Sequence, residues 1–218
     1  EKLFVKRYEE ETNLRCQILL DVSSSMLFPK SGRELNKLEF STYAAASLIE
    51  MLKKQRDAVG LSFFANGFKL ETPAKTSFAH HRYLYSELEK LLDKENQLLG
   101  ESTNVVDAIH HFAEKIHKRS MVFIFSDMFD GDLLNDDEAF SALQHLRHKK
   151  HDVVLFHVLD KSKEIELEFE NRPYVFVDME TGEEVKLHAN QVKDKYVTAM
   201  EKFESPLKMK CVQNGIDF

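Results

Sequence analysis

Five oxygen-bearing side chains in three separate segments are the residues of this sequence best suited to chemistry. Asp21-Val22-Ser23-Ser24-Ser25 sets a carboxylate and two hydroxyls at alternate positions, Thr103 closes Glu101-Ser102-Thr103, and Asp127 follows an apolar run. The set is all oxygen, which is what hard cations such as Mg²⁺ or Mn²⁺ prefer, and Mg²⁺ keeps several of its waters. Hydroxyls coordinate such an ion without adding charge, while carboxylates can hold its waters from the second shell. A coordination position left open would accept a carboxylate from a partner. Asp21, Ser23 and Ser25 taken alone also suit a plain turn or helix cap. Three segments that converge favour the metal.

The convergence depends on the elements that carry them. Cys16-Gln17-Ile18-Leu19-Leu20-Asp21-Val22 reads as a strand ending in a Ser-rich loop, and Leu38, Ser41, Ala45, Leu48, Ile49 and Leu52 have helical spacing. A strand follows at 59–64, with Asn66-Gly67 as a hairpin turn before 68–70. Helices are predicted over 83–92 and from Val105 to Ile116, the latter with Thr103 or Asn104 as N-cap. Met121-Val122-Phe123-Ile124-Phe125 is a buried strand, Ala139, Phe140, Leu143 and Leu146 mark a helix, and 153–158 is another strand. Apolar strands alternating with amphipathic helices imply an α/β fold, a doubly wound, mainly parallel sheet with helices on both faces. In such sheets ligands collect beyond the carboxyl ends of the strands, where Asp21 and Asp127 fall.

The rest of the chain is predicted as an elaboration and a last helix. Ile165, Leu167 and Phe169 alternate with Glu, and Thr181-Gly182 supplies a turn, so 164–188 reads as a small β-hairpin elaboration at one edge of a single domain over 1–218. Val192, Tyr196, Ala199, Met200, Phe203 and Leu207 mark the helix, which Pro206 is expected to kink or break. Were that helix to shift on metal and partner binding, Pro206 would be its hinge.

Composition and motifs exclude several functions. With 37 Asp and Glu against 30 Lys and Arg, the net charge of −7 argues against a nucleic-acid partner. Cys16 and Cys211 are too few for a disulfide framework and are expected to be reduced thiols in a cytoplasmic protein. No apolar stretch is long enough for direct membrane insertion. The missing initiating Met and abrupt end suggest an excised piece. His145, His148 and His151 lack the ligands that would complete a zinc site, and the adjacent pairs at 80–81 and 110–111 point apart on a helix. A nucleophile elbow and a phosphate loop are both missing, and Ser23 stands where an Asp-x-Asp phosphotransfer motif needs a second Asp. Asp130, Asp132, Asp136 and Asp137 read as a solvated loop and helix start, and Met26, Leu27 and Phe28 as local packing under the site loop.

The five-residue pattern resembles the metal-ion-dependent adhesion site of von Willebrand factor type A domains. That resemblance implies Ser23 and Ser25 as direct ligands, Asp21 and Asp127 acting mostly through water, and Thr103 binding directly or through water. Lys6-Arg7-Tyr8-Glu9-Glu10-Glu11, Phe125-Ser126-Asp127-Met128 and Gly215-Ile216-Asp217-Phe218 narrow it to the bacterial family called domain of unknown function fifty-eight. Members are commonly encoded beside MoxR-type AAA+ ATPases, which implies an adaptor or partner role in assembly, metal insertion or stress response. Many relatives in the wider superfamily place Gly after the terminal Asp, whereas Met128 stands here and restricts the backbone. The implied function is a metal-dependent interaction module that presents Mg²⁺ (or Mn²⁺) to an acidic side chain of a protein partner. The alternative is a metal-assisted phosphohydrolase using the same cluster, and a third possibility is a structural domain whose site has decayed.

Overall fold

A computed structural model describes residues 13–29, 35–93, 105–117, 119–129, 137–179 and 181–218. Five strands form one sheet in the order β3-β2-β1-β4-β5. β1 (Arg15–Asp21) lies at its centre and pairs in parallel with β2 (Ala58–Ala65) and β4 (Met121–Ser126). β4 pairs in parallel with β5 (Asp152–His157), and only β3 (Gly67–Glu71), reached through the Asn66-Gly67 turn, is antiparallel. Gly67 takes a φ of +88, the left-handed conformation such a turn needs.

Alternation along the strands divides the core between two faces. Ile18, Leu20, Phe123 and Phe125 pack with Leu38, Ala45, Ile49 and Leu52 of α1 (Lys37–Lys54) and with Leu84 and Leu88 of α2 (Phe78–Leu92). Leu19, Val122 and Ile124 pack on the other face with Ile109 and Phe112 of α3 (Val105–Lys115) and Leu143 and Leu146 of α4 (Asp137–His148). This is the doubly wound, mainly parallel arrangement the sequence implies. From β1 the chain runs outward to β2 and β3, then returns to β4 on β1's other side. The strand order therefore reverses between β1 and β4, which is where open α/β sheets collect ligands.

In the C-terminal third, the hairpin elaboration expected within 164–188 is present as β6 (Pro173–Val177) and β7 (Glu184–His188), which form a separate two-stranded antiparallel sheet. The alternating 165–169 stretch is not a strand. Asp160 accepts a hydrogen bond from the Lys163 N–H and winds Lys161–Ile165 into a π-helical turn, and Leu167, at φ +47, leaves the extended conformation to bury its side chain. Local side-chain capping overrides the period-2 pattern here.

The last helix, α5 (Ala189–Gln213), runs unbroken through Pro206. The residues beyond the proline explain this: Leu207 and Cys211 are buried in the α3/α4-side core, and that burial offsets the hydrogen bond the proline removes. Gly215, at φ +65, then turns the chain so that Asp217 bridges to the β5 edge, with Leu155 N–H donating to its C=O and its own N–H donating to the Val153 C=O. Pro206→Ala restores the missing donor inside a helix pinned on both sides. It is expected to raise stability by about 1–3 kcal/mol; urea unfolding showing no gain would mean that the helix depends on the proline.

Candidate functional site

β1 and β4 run in register, with Leu20 opposite Phe125, so Asp21 ends its strand directly beside Ser126. Burial of both strands brings Asp21 and Asp127 to one edge of the sheet with no exposure to water. Asp21 Oδ1 accepts a hydrogen bond from the Ser23 N–H (3.0 Å), and Asp21 Oδ2 accepts one from Ser126 Oγ (2.7 Å). Ser126 Oγ in turn accepts from the Met128 N–H (2.9 Å), and Asp127 Oδ1 accepts from the Phe129 N–H (3.1 Å).

Ser23 precedes a short 3₁₀ turn, Ser24–Leu27, in the position of an N-cap, yet its hydroxyl makes no capping hydrogen bond. It faces Ser25 Oγ at 3.1 Å instead. The cap reading therefore fails for Ser23, whose hydroxyl turns to Ser25 and Asp21 instead. Met26 and Leu27 are buried in the α1-side core, so the apolar residues after the site pack under the loop as expected.

A lysine completes the cluster. Asn36 starts α1 with a reciprocal capping box: its side chain accepts from the Glu39 N–H (2.7 Å), and its own N–H donates to Glu39 Oε2 (3.0 Å). Lys37 follows, tied by its N–H to the Phe28 C=O at 2.9 Å. Its ammonium donates to Asp127 Oδ2 (2.7 Å) and to Glu164 Oε1 (2.6 Å) in the π-helical turn. It also lies 5.4 Å from the centre of the Phe129 ring. Glu164 is held by the Asp160 N–H (2.7 Å), and its backbone C=O accepts from Tyr196 Oη of α5 (2.8 Å). At the end of β5, His157 Nε2 lies 2.9 Å from the Asp127 C=O. Burial lowers the pKa of that imidazole, which leaves it neutral and donating through Nε2.

The electrostatics follow from two carboxylates sharing a dry site. Burial first, then the neighbouring charge of Asp127, pushes the Asp21 carboxyl up to about 7 against the opposing hydrogen bonds from Ser23 and Ser126. Burial pulls the Lys37 ammonium down, but the charges of Asp127 and Glu164 outweigh it and the net shift is upward. Glu164 is raised, because burial outweighs the help of Lys37.

Four of the five residues expected at the site are thus described, and Asp21, Ser23, Ser25 and Asp127 are brought to one edge. Thr103 lies outside the described residues, as do Asn104, the acidic positions 130, 132 and 136, and the 6–11 motif. Met128 adopts φ +55, a left-handed backbone that side chains rarely take; full burial of its side chain offsets that strain. Lys37, Glu164, Ser126 and His157 were not anticipated. Ser126 was accessible from strand register, since it ends the strand beside Asp21. Lys37 carried a faint signal, a cation in a helix's first turn where negative charge is favoured. Nothing in the sequence marks Glu164.

The other clusters do not compete. His110 turns to His145 (Nδ1 to Nδ1, 3.0 Å) while His111 lies 3.5 Å from Glu71, so the adjacent pair does diverge. Among the described residues no group of three or more His, Cys, Asp or Glu is arranged to hold a metal ion. Both cysteines are free and buried, and burial pushes Cys16 up to about 12 and Cys211 to about 11, which makes them poor nucleophiles. No described helix is long and apolar enough to cross a membrane.

The family model described as "Protein of unknown function DUF58" matches residues 1–205. No curated protein matches. Among solved structures, an aerotolerance-related membrane protein from Bacteroides fragilis, with multiple mutations to serines, aligns with TM-score 0.54 at 19% identity, covering 87% of this chain and 89% of that one. The conserved hypothetical protein BatB from Bacteroides thetaiotaomicron aligns with TM-score 0.52 at 14% identity, covering 93% and 98%. The SpRpn10 VWA domain aligns more partially, with TM-score 0.42 at 12% identity over 66% and 74%. At these identities the first two share the fold.

The raised Asp21 carboxyl has a consequence for stability. Folded, Asp21 keeps its proton up to about pH 7; unfolded, an aspartate releases it near ~3.9. The folded state binds the extra proton between those values, so in chelator this contribution is lost as pH rises from about 4 through about 7. Asp21→Asn cannot titrate. Its stability relative to chelated wild type is expected to improve steadily across that window in urea unfolding, and a constant difference would contradict the burial account.

Proposed function

Since the chain belongs to the family described as "Protein of unknown function DUF58", we propose that it is a divalent-metal-dependent protein-interaction module. Ser23 and Ser25 hold Mg²⁺ (or Mn²⁺) directly, Asp21 and Asp127 act mainly through its waters, and Thr103 is the fifth ligand. An acidic side chain of the partner fills the open coordination position.

The observation that carries this reading is the hydroxyl pair. Ser23 Oγ and Ser25 Oγ are 3.1 Å apart beside two fully buried carboxylates. The two hydroxyls are already turned to each other in a hydrogen bond, and together with the two carboxylates they would hold a hard divalent cation and its waters. Hydroxyls supply ligands without charge, and the carboxylates supply the negative potential. When bound, the ion would act as a Lewis acid toward the partner's carboxylate. Beside the cluster, Leu35, Phe40, Phe156 and Phe218 line a shallow cleft with Lys37 and His157, an apolar rim suited to a partner's contact surface.

A hydrolytic use of the cluster would need a base and a phosphate clamp. The nearest candidates among the described residues are already engaged, His157 on the Asp127 carbonyl and Lys37 on two carboxylates. Non-catalytic binding is therefore the reading favoured here. Resemblance to proteins encoded beside MoxR-type AAA+ ATPases makes such an ATPase the partner proposed, in the cytoplasm.

Calorimetric titration of chelator-stripped protein with Mg²⁺ and Mn²⁺ tests the metal step. A single saturable site is expected, lost in Ser23→Ala while that variant stays folded. Binding that survives Ser23→Ala, or no binding in the wild type, would contradict the reading.

A further inference from the structure

Lys37 is placed against two ordinary preferences at once. It stands in the first turn of α1, where the unpaired N–H groups of the helix favour negative charge. Its side chain is only 3% exposed, and a buried ammonium is costly unless paired. The capping box at Asn36 and the Lys37 N–H bond to the Phe28 carbonyl fix its backbone at the start of α1, against the end of the 3₁₀ turn that follows Ser23. The ammonium is therefore aimed from the first turn of α1 at the Asp127 carboxylate.

The charges show what that achieves. Asp21, Asp127 and Glu164 offer three carboxylates and Lys37 one ammonium, leaving two negative charges when all are ionised. That is the charge of one divalent ion. Yet the oxygen of Asp127 not held by the Phe129 N–H is the one Lys37 occupies, at 2.7 Å. The waters of an ion held by Ser23 and Ser25 would compete with the ammonium for that carboxylate, and the ion would be repelled by its charge. Glu164 sits on the far side of the ammonium at 2.6 Å, able to keep it when Asp127 is given up.

We propose that Lys37 is a built-in counter-ion of the site, a tethered cation that competes with the divalent metal for Asp127 and so sets how tightly the metal binds. Glu164 is the carboxylate to which the ammonium retreats. This rests on the metal reading above. It also makes metal and acidic partner bind together: the partner's carboxylate adds the negative charge that Lys37 offsets, and by reciprocity each strengthens the other. Because Glu164 is anchored through its backbone to Tyr196, α5 lies on the same path.

The test is Mg²⁺ titration by calorimetry of chelator-stripped wild type, Lys37→Met, Glu164→Gln and the double variant. Lys37→Met removes the competing charge, and Mg²⁺ is expected to bind at least about tenfold more tightly. The double variant keeps the net charge of the wild type but frees Asp127, so its affinity should fall between those two. Glu164→Gln leaves the ammonium wholly on Asp127 and should bind more weakly than wild type. Should Lys37→Met fail to fold with Asp127 and Glu164 both deprived of their ammonium, the double variant, which removes one charge of each sign, carries the comparison. Affinity unchanged or weakened in Lys37→Met and in the double variant would overturn the counter-ion role. If wild-type binding were still abolished by Ser23→Ala, the metal reading would survive that result. No Mg²⁺ binding in any of the four proteins would overturn both.

Discussion

Two carboxylates without access to water, Asp21 and Asp127, stand at the ends of adjacent parallel strands, and the structure around them is arranged to make that tolerable. Burying a carboxylate is costly unless hydrogen bonds and opposite charge compensate. The compensation is divided among elements that would otherwise have no reason to meet. Ser126 and the Ser23 N–H serve Asp21, the Phe129 N–H serves Asp127, and Lys37 reaches from α1. It remains incomplete for Asp21, whose carboxyl rises to about 7 because burial and Asp127 outweigh its hydrogen bonds. A site that holds protons where carboxylates normally hold none has electrostatic room for a cation.

That constraint extends well beyond the metal loop. Glu164 is needed to share the Lys37 ammonium, and the π-helical turn capped by Asp160 sets Glu164 in place. Tyr196 of α5 then closes on the Glu164 carbonyl, while Phe203 packs near Phe129 and His157. The C-terminal helix is thus joined to the site by a hydrogen bond and ring contacts, and anchored in the core by Leu207 and Cys211. Met128 shows the same logic in the backbone, its left-handed conformation tolerated because its side chain is wholly buried.

The sheet and the carboxylate–hydroxyl set were legible in the sequence for physical reasons. Buried parallel strands show as short apolar runs, 18–20 and 121–125, so the residues that end them are placed at the ligand-collecting edge by the pattern itself. Lys37 and Glu164 were not legible, because their pairing spans 127 positions of chain and depends on how α1 and a π-helical turn approach each other. The alternation of Ile165, Leu167 and Phe169 mimicked a strand, and only the Asp160 cap and the burial of Leu167 decided otherwise. Pro206 does not break α5, although local propensity favours a break, because burial of Leu207 and Cys211 beyond it holds the helix.

The most direct measurement is anomalous scattering from crystals of this chain soaked in Mn²⁺, with a chelator-washed crystal as reference. The account predicts one peak at coordination distance from both Ser23 Oγ and Ser25 Oγ, with Asp21 and Asp127 reaching it through water and the Lys37 ammonium drawn toward Glu164. No peak between the two hydroxyls, with Lys37 still seated on Asp127 at saturating Mn²⁺, would mean that the lysine is the only cation the site takes and would contradict the account at its centre.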